Sequence, residues 1–381
     1  MKSGPSRRRF LAAGLAAAPP FPRAVTSRAG ALKEGEIRYR VLGRTGLKVT
    51  TVGFGCMITS DPTVIERAAD IGINLFDTAR GYQGGNNERM VGSALKTKRK
   101  NVIISTKTGA ATRQGALDHL DTSLRELGTD YVDIWYLHGK GSIASVTDEL
   151  LEAQETARQA GKIRSSGVST HSGHADLIPG LIKSGRIDVL LTTYNFTMDP
   201  SMTALVEAAR KAGMGVVAMK VMAGGYRKVK PGDPLYGIFQ RDGAFVAALK
   251  WVLKNPNVDS TIPSMTDIDQ LDENLKAMAG AFTESDQKVL ARYLDHIRPL
   301  YCRMCGACAG ACPKGVPVSD VLRCLTYAEG YGQFALGRDH FRTLPAEAQA
   351  VRCDLCPSCA IECSNGVRVV ERLVRAQELF A

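Results

Sequence analysis

Eight of the ten cysteines in this chain of 381 residues fall into two runs with the same spacing. The first run is Cys302, Cys305, Cys308 and Cys312, and the second is Cys353, Cys356, Cys359 and Cys363. Three cysteines at two-residue gaps wrap one face of a four-iron cubane, and the fourth cysteine, beyond a wider gap, binds the other cluster. The spacing therefore predicts two 4Fe–4S clusters, one on Cys302, Cys305, Cys308 and Cys363 and the other on Cys353, Cys356, Cys359 and Cys312.

This spacing, with Pro313 after the first run, resembles that of bacterial ferredoxins. Zinc sites usually pair cysteines two and two, and the even spacing argues against disulfides, so these two alternatives are weaker. The 40 residues between the runs have helical periodicity, for example over 318–328, which favours a small, mostly α-helical ferredoxin-like domain over 299–381. Cys324 lies inside that predicted helix and is expected to be a buried apolar thiol, with a spare ligand as the alternative.

Four titratable residues form a second group: Asp77, Tyr82, Lys107 and His138. A phenol has an ordinary pKa of about 10, too high to protonate an oxyanion quickly at neutral pH, so a tyrosine acid needs a neighbouring cation. Each residue alone has an ordinary structural explanation, such as a helix cap or a satisfied histidine. Their combination predicts a tyrosine acid that protonates an oxyanion, helped by a lysine cation that the aspartate holds.

Eight short apolar runs alternate with helical segments, which predicts a (β/α)8 TIM barrel over residues 37–298. The predicted strands are 51–55, 74–78, 102–106, 132–137, 163–168, 189–194, 215–219 and 260–263. Predicted helices between or after them include 62–70, 117–127, 146–160, 202–212, 267–279 and 284–297. The chemistry of such a barrel lies at the C-terminal ends of its strands, which is where Asp77, Lys107 and His138 fall.

Residues 39–47, 72–79, 87–88 and 91–92 resemble signatures of the aldo-keto reductase superfamily. The resemblance implies that a nicotinamide gives hydride to a carbonyl carbon while Tyr82 protonates the oxygen. Lys107, oriented by Asp77, would lower the pKa of the Tyr82 phenol, and His138 would position the carbonyl. The implied substrate is a small carbonyl compound or alcohol.

The same resemblance assigns six residues to the nicotinamide cofactor: Ser169, Asn195, Ser264, Gln270, Glu273 and Asn274. Several neighbouring positions depart from the family, because Thr170 replaces an asparagine, Leu191 a carboxamide-binding glutamine and Met219 a stacking aromatic residue. Ser264 and Gln270 stand where relatives place cations for the 2′-phosphate of NADP. Each missing cation removes about 1.5–3 kcal/mol, so NADP preference is not supported and NAD, or weak binding of either dinucleotide, is expected.

The N-terminal 31 residues resemble a twin-arginine signal peptide, with paired arginines at 7–9, a short apolar stretch at 10–18 and a small-residue cleavage pattern at 29–31. A disordered basic tail is the alternative. Six basic residues and no acid precede Ala31, so removing the segment reduces the net charge from +11 to +5. This ordinary balance, without a basic stripe, argues against nucleic-acid binding. We expect export to the periplasm by the twin-arginine machinery, since folded protein can carry its clusters across.

Hydride carries two electrons together, whereas a cluster accepts one at a time. The sequence shows no glycine-rich flavin fingerprint to divide the pair. Three interpretations stay open: an unseen redox group, structural clusters, or a barrel that no longer uses nicotinamide.

The sequence therefore predicts an exported oxidoreductase that couples carbonyl or alcohol chemistry to two clusters, with a membrane-linked or quinone-linked redox partner. The alternative is an electron-transfer protein whose barrel is a scaffold. The directions of the last two barrel helices predict that the cysteine region lies near the barrel mouth.

Overall fold

The computed structural model describes residue 1 and residues 37–225, 231–232, 236–241 and 243–380. The predicted export signal therefore lies, apart from Met1, outside the described residues. Residues Leu32–Ala381 form one compact unit. In the described part of the chain, no helix has the length and apolar character needed to span a bilayer.

The chain begins its described part with an antiparallel hairpin of β1 (Tyr39–Val41) and β2 (Lys48–Thr50). The turn of this hairpin packs against the start of a barrel strand, since the Arg44 amide donates to the Gly213 carbonyl oxygen over 2.7 Å. Gly43 has φ +48° and lies against Gly215 so closely that a Cβ atom would clash with the backbone there. The hairpin therefore closes the N-terminal end of the barrel.

Eight parallel strands follow one another around the barrel in chain order. They are β3 (Phe54–Gly55), β4 (Leu75–Asp77), β5 (Ile103–Thr108), β6 (Val132–Leu137), β7 (Ile163–Thr170), β8 (Val189–Thr193), β9 (Gly215–Met219) and β10 (Ser260–Thr261). Bridges from Val52 to Thr261 and from Gly55 to Ser264 join the first and last strands and close the barrel. The predicted barrel is confirmed, although β3 and β10 are shorter than expected because single bridges replace a regular ladder at the closure.

Helices alternate with these strands and cover the outside of the barrel. They are α1 (Pro62–Asp70), α2 (Asn86–Leu95), α3 (Arg113–Leu127), α4 (Asp148–Gln159), α5 (His174–Ser184), α6 (Pro200–Lys211), α7 (Ala244–Leu253) and α8 (Ile268–Ala279). Helix α3 starts four residues earlier than predicted, because the Thr112 side chain accepts from the Gly115 amide and begins the helix before its apolar positions. The buried faces pack against the strands in one large apolar core.

The chain then leaves the barrel through α9 (Glu284–Ile297), which returns along the barrel to its mouth. The Tyr293 hydroxyl on this helix donates to the Met222 carbonyl oxygen over 2.8 Å, just after β9. This contact fixes the end of α9, and with it the start of the cysteine-rich segment, beside the C-terminal ends of the strands. The structure thus agrees with the prediction made from the helix directions.

The C-terminal region is mostly helical and has its own apolar core. Its helices are α10 (Val318–Leu325), α11 (Phe334–Arg342), α12 (Ala346–Ala350) and α13 (Val369–Phe380). The predicted helix 318–328 ends as an α-helix at Leu325 and continues as a π-helical turn over Thr326–Gly330. Cys324 is fully buried in this core, as expected of an apolar thiol.

Candidate functional site

The four predicted catalytic residues meet at the C-terminal ends of neighbouring strands. Asp77 ends β4, Lys107 lies near the end of β5, and His138 follows β6. Tyr82 begins a short helical turn after β4. The parallel register places Asp77 opposite Ser105, two residues before Lys107, so the barrel backbone itself brings the carboxylate and the ammonium together.

Lys107 is the centre of this group. Its Nζ donates to Asp77 Oδ2 over 2.5 Å, to the Thr78 carbonyl oxygen over 2.7 Å and to the Tyr82 hydroxyl over 3.3 Å. An ammonium has three donors, and these contacts use all three. The Ser105 hydroxyl donates to the other carboxylate oxygen over 2.7 Å. Lysine and aspartate are both buried, so the ion pair is fixed in one geometry.

Burial shifts the pKa of both Lys107 and Tyr82. It lowers the pKa of Lys107, against the attraction of Asp77, which raises it. Burial raises the pKa of Tyr82 well above its ordinary value, and the Asp77 charge adds to that increase. The net direction is upward because burial and the carboxylate dominate, and the expectation that Lys107 lowers the pKa of the phenol stays a prediction. Tyr82 carries its proton at neutral pH, as a proton donor must, and giving the proton up needs a charge that stabilises the phenolate.

His138 faces Tyr82 across the mouth of the barrel. The two ring centroids are 5.8 Å apart and the rings are nearly perpendicular, at 77°. Burial, followed by the charge of Lys107, lowers the pKa of His138 to about 3. The imidazole is thus neutral at physiological pH and can donate one hydrogen bond to a substrate oxygen.

A cavity of about 450 Å³ opens above these residues. Asp77, Tyr82 and His138 line its floor, together with His171 after β7 and Lys220 after β9. The opposite wall is the cover, a name that we give to the cavity-lining residues of the C-terminal region: Arg323, Tyr327, Gly330, Tyr331, Gln333 and His340. The cavity is therefore enclosed by the barrel on one side and by the C-terminal region on the other.

The cover packs closely against the barrel at glycine residues, which have no side chains to keep the two apart. A Cβ atom on Gly330 would clash with the Gly224 carbonyl oxygen, and one on Gly225 would lie 2.8 Å from the Tyr331 ring. The Lys220 ammonium lies 3.4 Å from the Tyr327 hydroxyl and 4.6 Å from the centre of that ring. These contacts hold the cover directly over the catalytic group.

The six residues predicted to bind a nicotinamide dinucleotide are placed unevenly. Ser264 and Gln270 line the far part of the cavity, whereas Ser169, Asn195, Glu273 and Asn274 are not among its lining residues. The Asn195 amide is used by the chain itself: its Nδ2 donates to the Lys220 carbonyl oxygen over 3.0 Å and its Oδ1 accepts from the Thr197 amide over 3.0 Å. The Ser169 hydroxyl accepts from the Gly139 amide over 2.9 Å and keeps its own proton to donate.

Ser264 and Gln270, which stand where relatives place cations, line the cavity and bring it no positive charge. Gln270 uses its Nε2 to donate to Thr266 and Asp267, over 2.8 and 2.6 Å. Leu191 lies fully buried in the apolar interior of the barrel. These two positions thus offer polar side chains but no charge for a 2′-phosphate.

The eight predicted cluster cysteines divide in space as their spacing predicts. Cys302, Cys305, Cys308 and Cys363 line one small cavity of the C-terminal region. Cys353 lies close enough to Cys356, Cys359 and Cys312 to interact with their charges. In both sets, therefore, three cysteines come from one run and the fourth comes from the other run. None of the ten cysteines, all of them within the described residues, forms a disulfide. The structure brings together the two ligand sets, which stay a prediction as cluster sites.

No three His, Cys, Asp or Glu side chains in the described residues lie close enough together to hold a single metal ion. A cubane differs from a single ion because each of its four irons takes its own thiolate, so the sulfur atoms stand farther apart. Burial raises the pKa of the Cys302 thiol to about 12. A thiolate there requires a bound cation, which the irons of a cluster would supply.

Two side-chain amides donate weakly to cysteine sulfur atoms. Asn365 Nδ2 lies 3.5 Å from Cys305 Sγ, and Gln377 Nε2 lies 3.4 Å from Cys353 Sγ. Each cysteine group therefore has one such donor. Hydrogen bonds of this kind influence the reduction potential of iron–sulfur clusters.

Sequence reasoning missed Lys220, His171 and the whole cover. The two barrel residues were within reach, because Lys220 directly follows β9 and His171 directly follows β7, the position that had identified His138 after β6. The cover residues have no such indication in the sequence. They reach the site only through the docking of the C-terminal region.

A strand-end site inside a closed (β/α)8 barrel, with a buried lysine–aspartate pair beside a tyrosine and a histidine, defines the class of the protein as an oxidoreductase. The model of the aldo/keto reductase family matches residues 60–236, which include all four predicted catalytic positions. The chain is an oxidoreductase of the aldo/keto reductase type, and its barrel is similar to those of this family.

Known proteins are similar over the barrel. An uncharacterized oxidoreductase of Bacillus subtilis, YqkF, is 29% identical over 67% of this chain and 95% of its own length. The L-galactose dehydrogenase of Arabidopsis thaliana is 28% identical, over 64% of this chain and 88% of its own. Among solved structures, the holo form of the aldo-keto reductase AKR11C1 from Bacillus halodurans has a TM-score of 0.58 at 28% identity, covering 68% of this chain and 96% of that protein.

Proposed function

We propose that this protein interconverts a small carbonyl compound and its alcohol, and that it exchanges the electrons through two 4Fe–4S clusters in its C-terminal region. The observation that carries the proposal is the buried Lys107 ammonium, which bonds to both Asp77 and the Tyr82 hydroxyl at the floor of a cavity. A buried charge pair costs desolvation energy, so its place beside a phenol is best explained by chemistry.

The chain's own residues move the proton. His138 donates to the carbonyl oxygen and orients it, since its neutral imidazole carries one N–H. Tyr82 gives its proton to the same oxygen as negative charge develops there, and the Lys107 ammonium stabilises the phenolate that results. Asp77 keeps Lys107 charged and in place. In the direction of alcohol oxidation, Tyr82 takes the proton back.

A nicotinamide dinucleotide, when bound, would supply or accept the hydride. The residues present fit it in part: Ser264 and Gln270 line the far end of the cavity and Ser169 keeps a hydroxyl proton, whereas Asn195 is committed to the protein. The uncharged side chains of Ser264 and Gln270, where relatives place cations, support NAD over NADP.

The first cysteine group, Cys302, Cys305, Cys308 and Cys363, lies close to this site in two ways. Tyr301, next to Cys302, places its hydroxyl 3.4 Å from Asn195 Nδ2, and Asn195 in turn bonds to the Lys220 backbone. Helix α10 lines both cavities through adjacent residues, Leu322 at the cysteines and Arg323 at the catalytic cavity. A helix is about 10–12 Å wide, so a cluster on Cys302, Cys305, Cys308 and Cys363 would lie within about one helix width of the substrate.

Two electrons and two protons leave an alcohol when it becomes a carbonyl compound. Tyr82 would take the hydroxyl proton and a nicotinamide would take the other hydrogen as hydride. A bound carrier that accepts two electrons and gives them up singly, such as a flavin, would then be needed to pass one electron to each cluster and release the second proton to solvent. We propose that these electrons pass to or from a membrane-linked or quinone-linked partner after export by the twin-arginine route. The paired arginines at 7–9 support this location. Replacing Arg8 and Arg9 by lysine should keep the protein in the cytoplasm, as cell fractionation would show; unchanged export would refute the route.

The central experiment uses protein purified without oxygen. We expect about eight irons per chain, as two 4Fe–4S clusters require, and NADH-dependent reduction of small aldehydes. Tyr82→Phe should lower kcat/KM by about 10²–10⁴-fold, because it removes the acid. The matched control is Tyr39→Phe, which removes a phenolic hydroxyl from the exposed hairpin. Near-normal turnover by Tyr82→Phe would contradict the proposal, and a dissociation constant tenfold tighter for NADPH than for NADH would contradict the cofactor assignment.

One observation favours a second function, that of an electron-transfer protein with the barrel as a scaffold. Both ends of the Asn195 amide are bonded within the chain, so a residue expected to grip the carboxamide is not free to do so. This alternative predicts clusters that exchange electrons with dithionite and quinone analogues, no tight dinucleotide binding, and no effect of Tyr82→Phe on cluster reduction.

A further inference from the structure

Lys220 is a cation inside the cavity that the proposed reaction does not use. It follows β9 with a φ of +55°, a conformation that side chains other than glycine rarely adopt. The Asn195 amide holds its carbonyl oxygen, so the surroundings impose this backbone. Strained residues of this kind concentrate at functional sites. The result is that the Lys220 side chain points into the cavity against the cover.

The Lys220 ammonium contacts two tyrosines of the cover and, among the described residues, pairs with no carboxylate. Its Nζ lies 3.4 Å from the Tyr327 hydroxyl and 5.5 Å from the centre of the Tyr331 ring. Burial lowers the pKa of Lys220, but the two phenols raise it more, so that the net direction is upward and the side chain stays charged. A charged, partly buried ammonium with only phenols and ring faces around it is incompletely neutralised.

A second cation, Arg323 of the cover, lines the same cavity. Its Nη2 pairs with Asp320 Oδ1 over 3.0 Å, while its Nε is buried and has no hydrogen-bond partner. Opposite it, His171 Nδ1 is likewise buried without a partner. The described lining of the cavity holds one carboxylate, Asp77, which Lys107 and Ser105 already occupy.

The two cations act near the reacting centre. Lys220 and Arg323 both lower the pKa of His171 and of His340, after burial in each case, and Arg323 also acts on His138. Electrostatic effects of this kind fall with distance, so both cations lie near His171 and His340, and Arg323 lies near His138.

We propose that Lys220 and Arg323 form a subsite that binds a carboxylate or phosphate of the substrate while the carbonyl group of the same molecule faces Tyr82 and His138. The proposal deepens the proposed function, on whose carbonyl chemistry it rests, and gives the substrate class as an acidic aldehyde, ketone or alcohol. The neutral imidazole of His171 adds a hydrogen-bonding partner for the anion. Because Arg323 belongs to the cover, the subsite exists only when the C-terminal region is docked.

The test compares paired substrates of one shape and different charge on the cluster-loaded enzyme. Suitable pairs are succinic semialdehyde with butanal, and 4-carboxybenzaldehyde with its methyl ester. The wild-type protein should prefer each acid by about tenfold or more in kcat/KM, since a charge-assisted contact is lost in the neutral compound. Lys220→Met and Arg323→Met should each reduce this ratio about tenfold, and Lys220→Arg should restore most of it. Lys140→Met, which removes a nearby lysine outside the cavity lining, should leave the ratio unchanged.

Calorimetry gives a second measurement that does not depend on turnover. Succinate, inorganic phosphate and inorganic pyrophosphate are titrated into wild-type protein and Lys220→Met, and NADH is titrated in parallel. Weaker succinate or phosphate binding with unchanged NADH binding supports the substrate subsite. Weaker binding of NADH and pyrophosphate with an unchanged acid preference would overturn it in favour of the dinucleotide diphosphate. Unchanged anion binding and acid preference would also overturn it, leaving Lys220 as a contact that holds the cover. If wild-type protein reduces no aldehyde, the proposed function fails while these titrations still decide the anion site.

Discussion

At the catalytic floor of the barrel, Lys107 and Asp77 neutralise each other, since Lys107 Nζ lies 2.5 Å from Asp77 Oδ2. In the C-terminal region, by contrast, the cysteines contact apolar side chains and each other: Cys302, Cys308, Cys312, Cys353 and Cys363 pack against its hydrophobic core. The Lys107–Asp77 pair therefore finds its partners within the protein. The proposed clusters would give the cysteine sulfur atoms their partners, and the cover would then depend on metal while the catalytic floor would not.

The largest effect should follow from removing a predicted cluster ligand. Cys302→Ser is expected to lose about half of the iron and to destabilise the C-terminal region by several kcal/mol, because metal binding contributes directly to folding. Iron analysis and hydrogen exchange of α10 and β6 would measure both. The control is Cys324→Ala, which changes a buried cysteine outside the two predicted ligand sets; this variant should keep its iron. Equal destabilisation of β6 and α10 would show that the stability of the barrel depends on the metal as much as that of the C-terminal region does.

A smaller effect should follow from breaking the barrel's ion pair. Asp77→Asn is expected to cost about 3–5 kcal/mol in the free energy of unfolding, because it leaves the buried Lys107 charge without a partner. The double substitution Asp77→Asn with Lys107→Met should recover part of this loss. Denaturant unfolding measures both variants. Asp121→Asn, which breaks the exposed 2.5 Å pair with Lys162, serves as control and should cost less than about 1 kcal/mol.

The buried neutral His138 predicts how stability changes with pH. Its pKa is lowered to about 3 in the folded protein, by burial first and Lys107 second, from about 6.5 in the unfolded chain. The unfolded chain therefore binds more protons below pH 6.5, and stability falls as the pH decreases from 6.5 towards 3. His138→Gln should flatten this dependence by up to about 1.4 kcal/mol per pH unit between pH 5.5 and 4. His296→Gln, on an exposed position of α9, should leave the slope unchanged.

The smallest expected effect concerns the second cysteine group. Gln377→Leu removes the amide that donates to Cys353 Sγ and should lower the reduction potential of the cluster there, because the donor stabilises the more negative, reduced state. A redox titration followed by paramagnetic resonance measures the change. Gln349→Leu is the control, since its Nε2 donates to backbone oxygens of Arg342 and Leu344 and not to sulfur. An unchanged reduction potential would show that Gln377 does not influence the electrons of the cluster and has a structural role only.

The barrel and its catalytic floor were predictable because both depend on short-range patterns. Apolar runs located all eight strands, and strand ends located Asp77, Lys107 and His138. The same rule applied after β7 and β9 would have found His171 and Lys220. The pKa of Tyr82 was not predictable, because its direction depends on how deeply the phenol is buried beneath the cover. The cover itself depends on docking contacts, such as Tyr293 with Met222, between segments far apart in the chain.

The fit of the cover on the barrel depends on Gly224 and Gly330, which meet backbone to backbone. Gly224 also has a φ of +99°, which disfavours any other residue there. Replacing Gly330 by alanine would place a methyl group where the backbones of the cover and the barrel touch. This group would push the cover and the barrel apart. Water could then enter above Tyr82, and the field that Lys220 and Arg323 exert on a bound anion would be screened. Substitutions at Gly330 are therefore expected to weaken substrate recognition, although this residue has no side chain to contact the substrate.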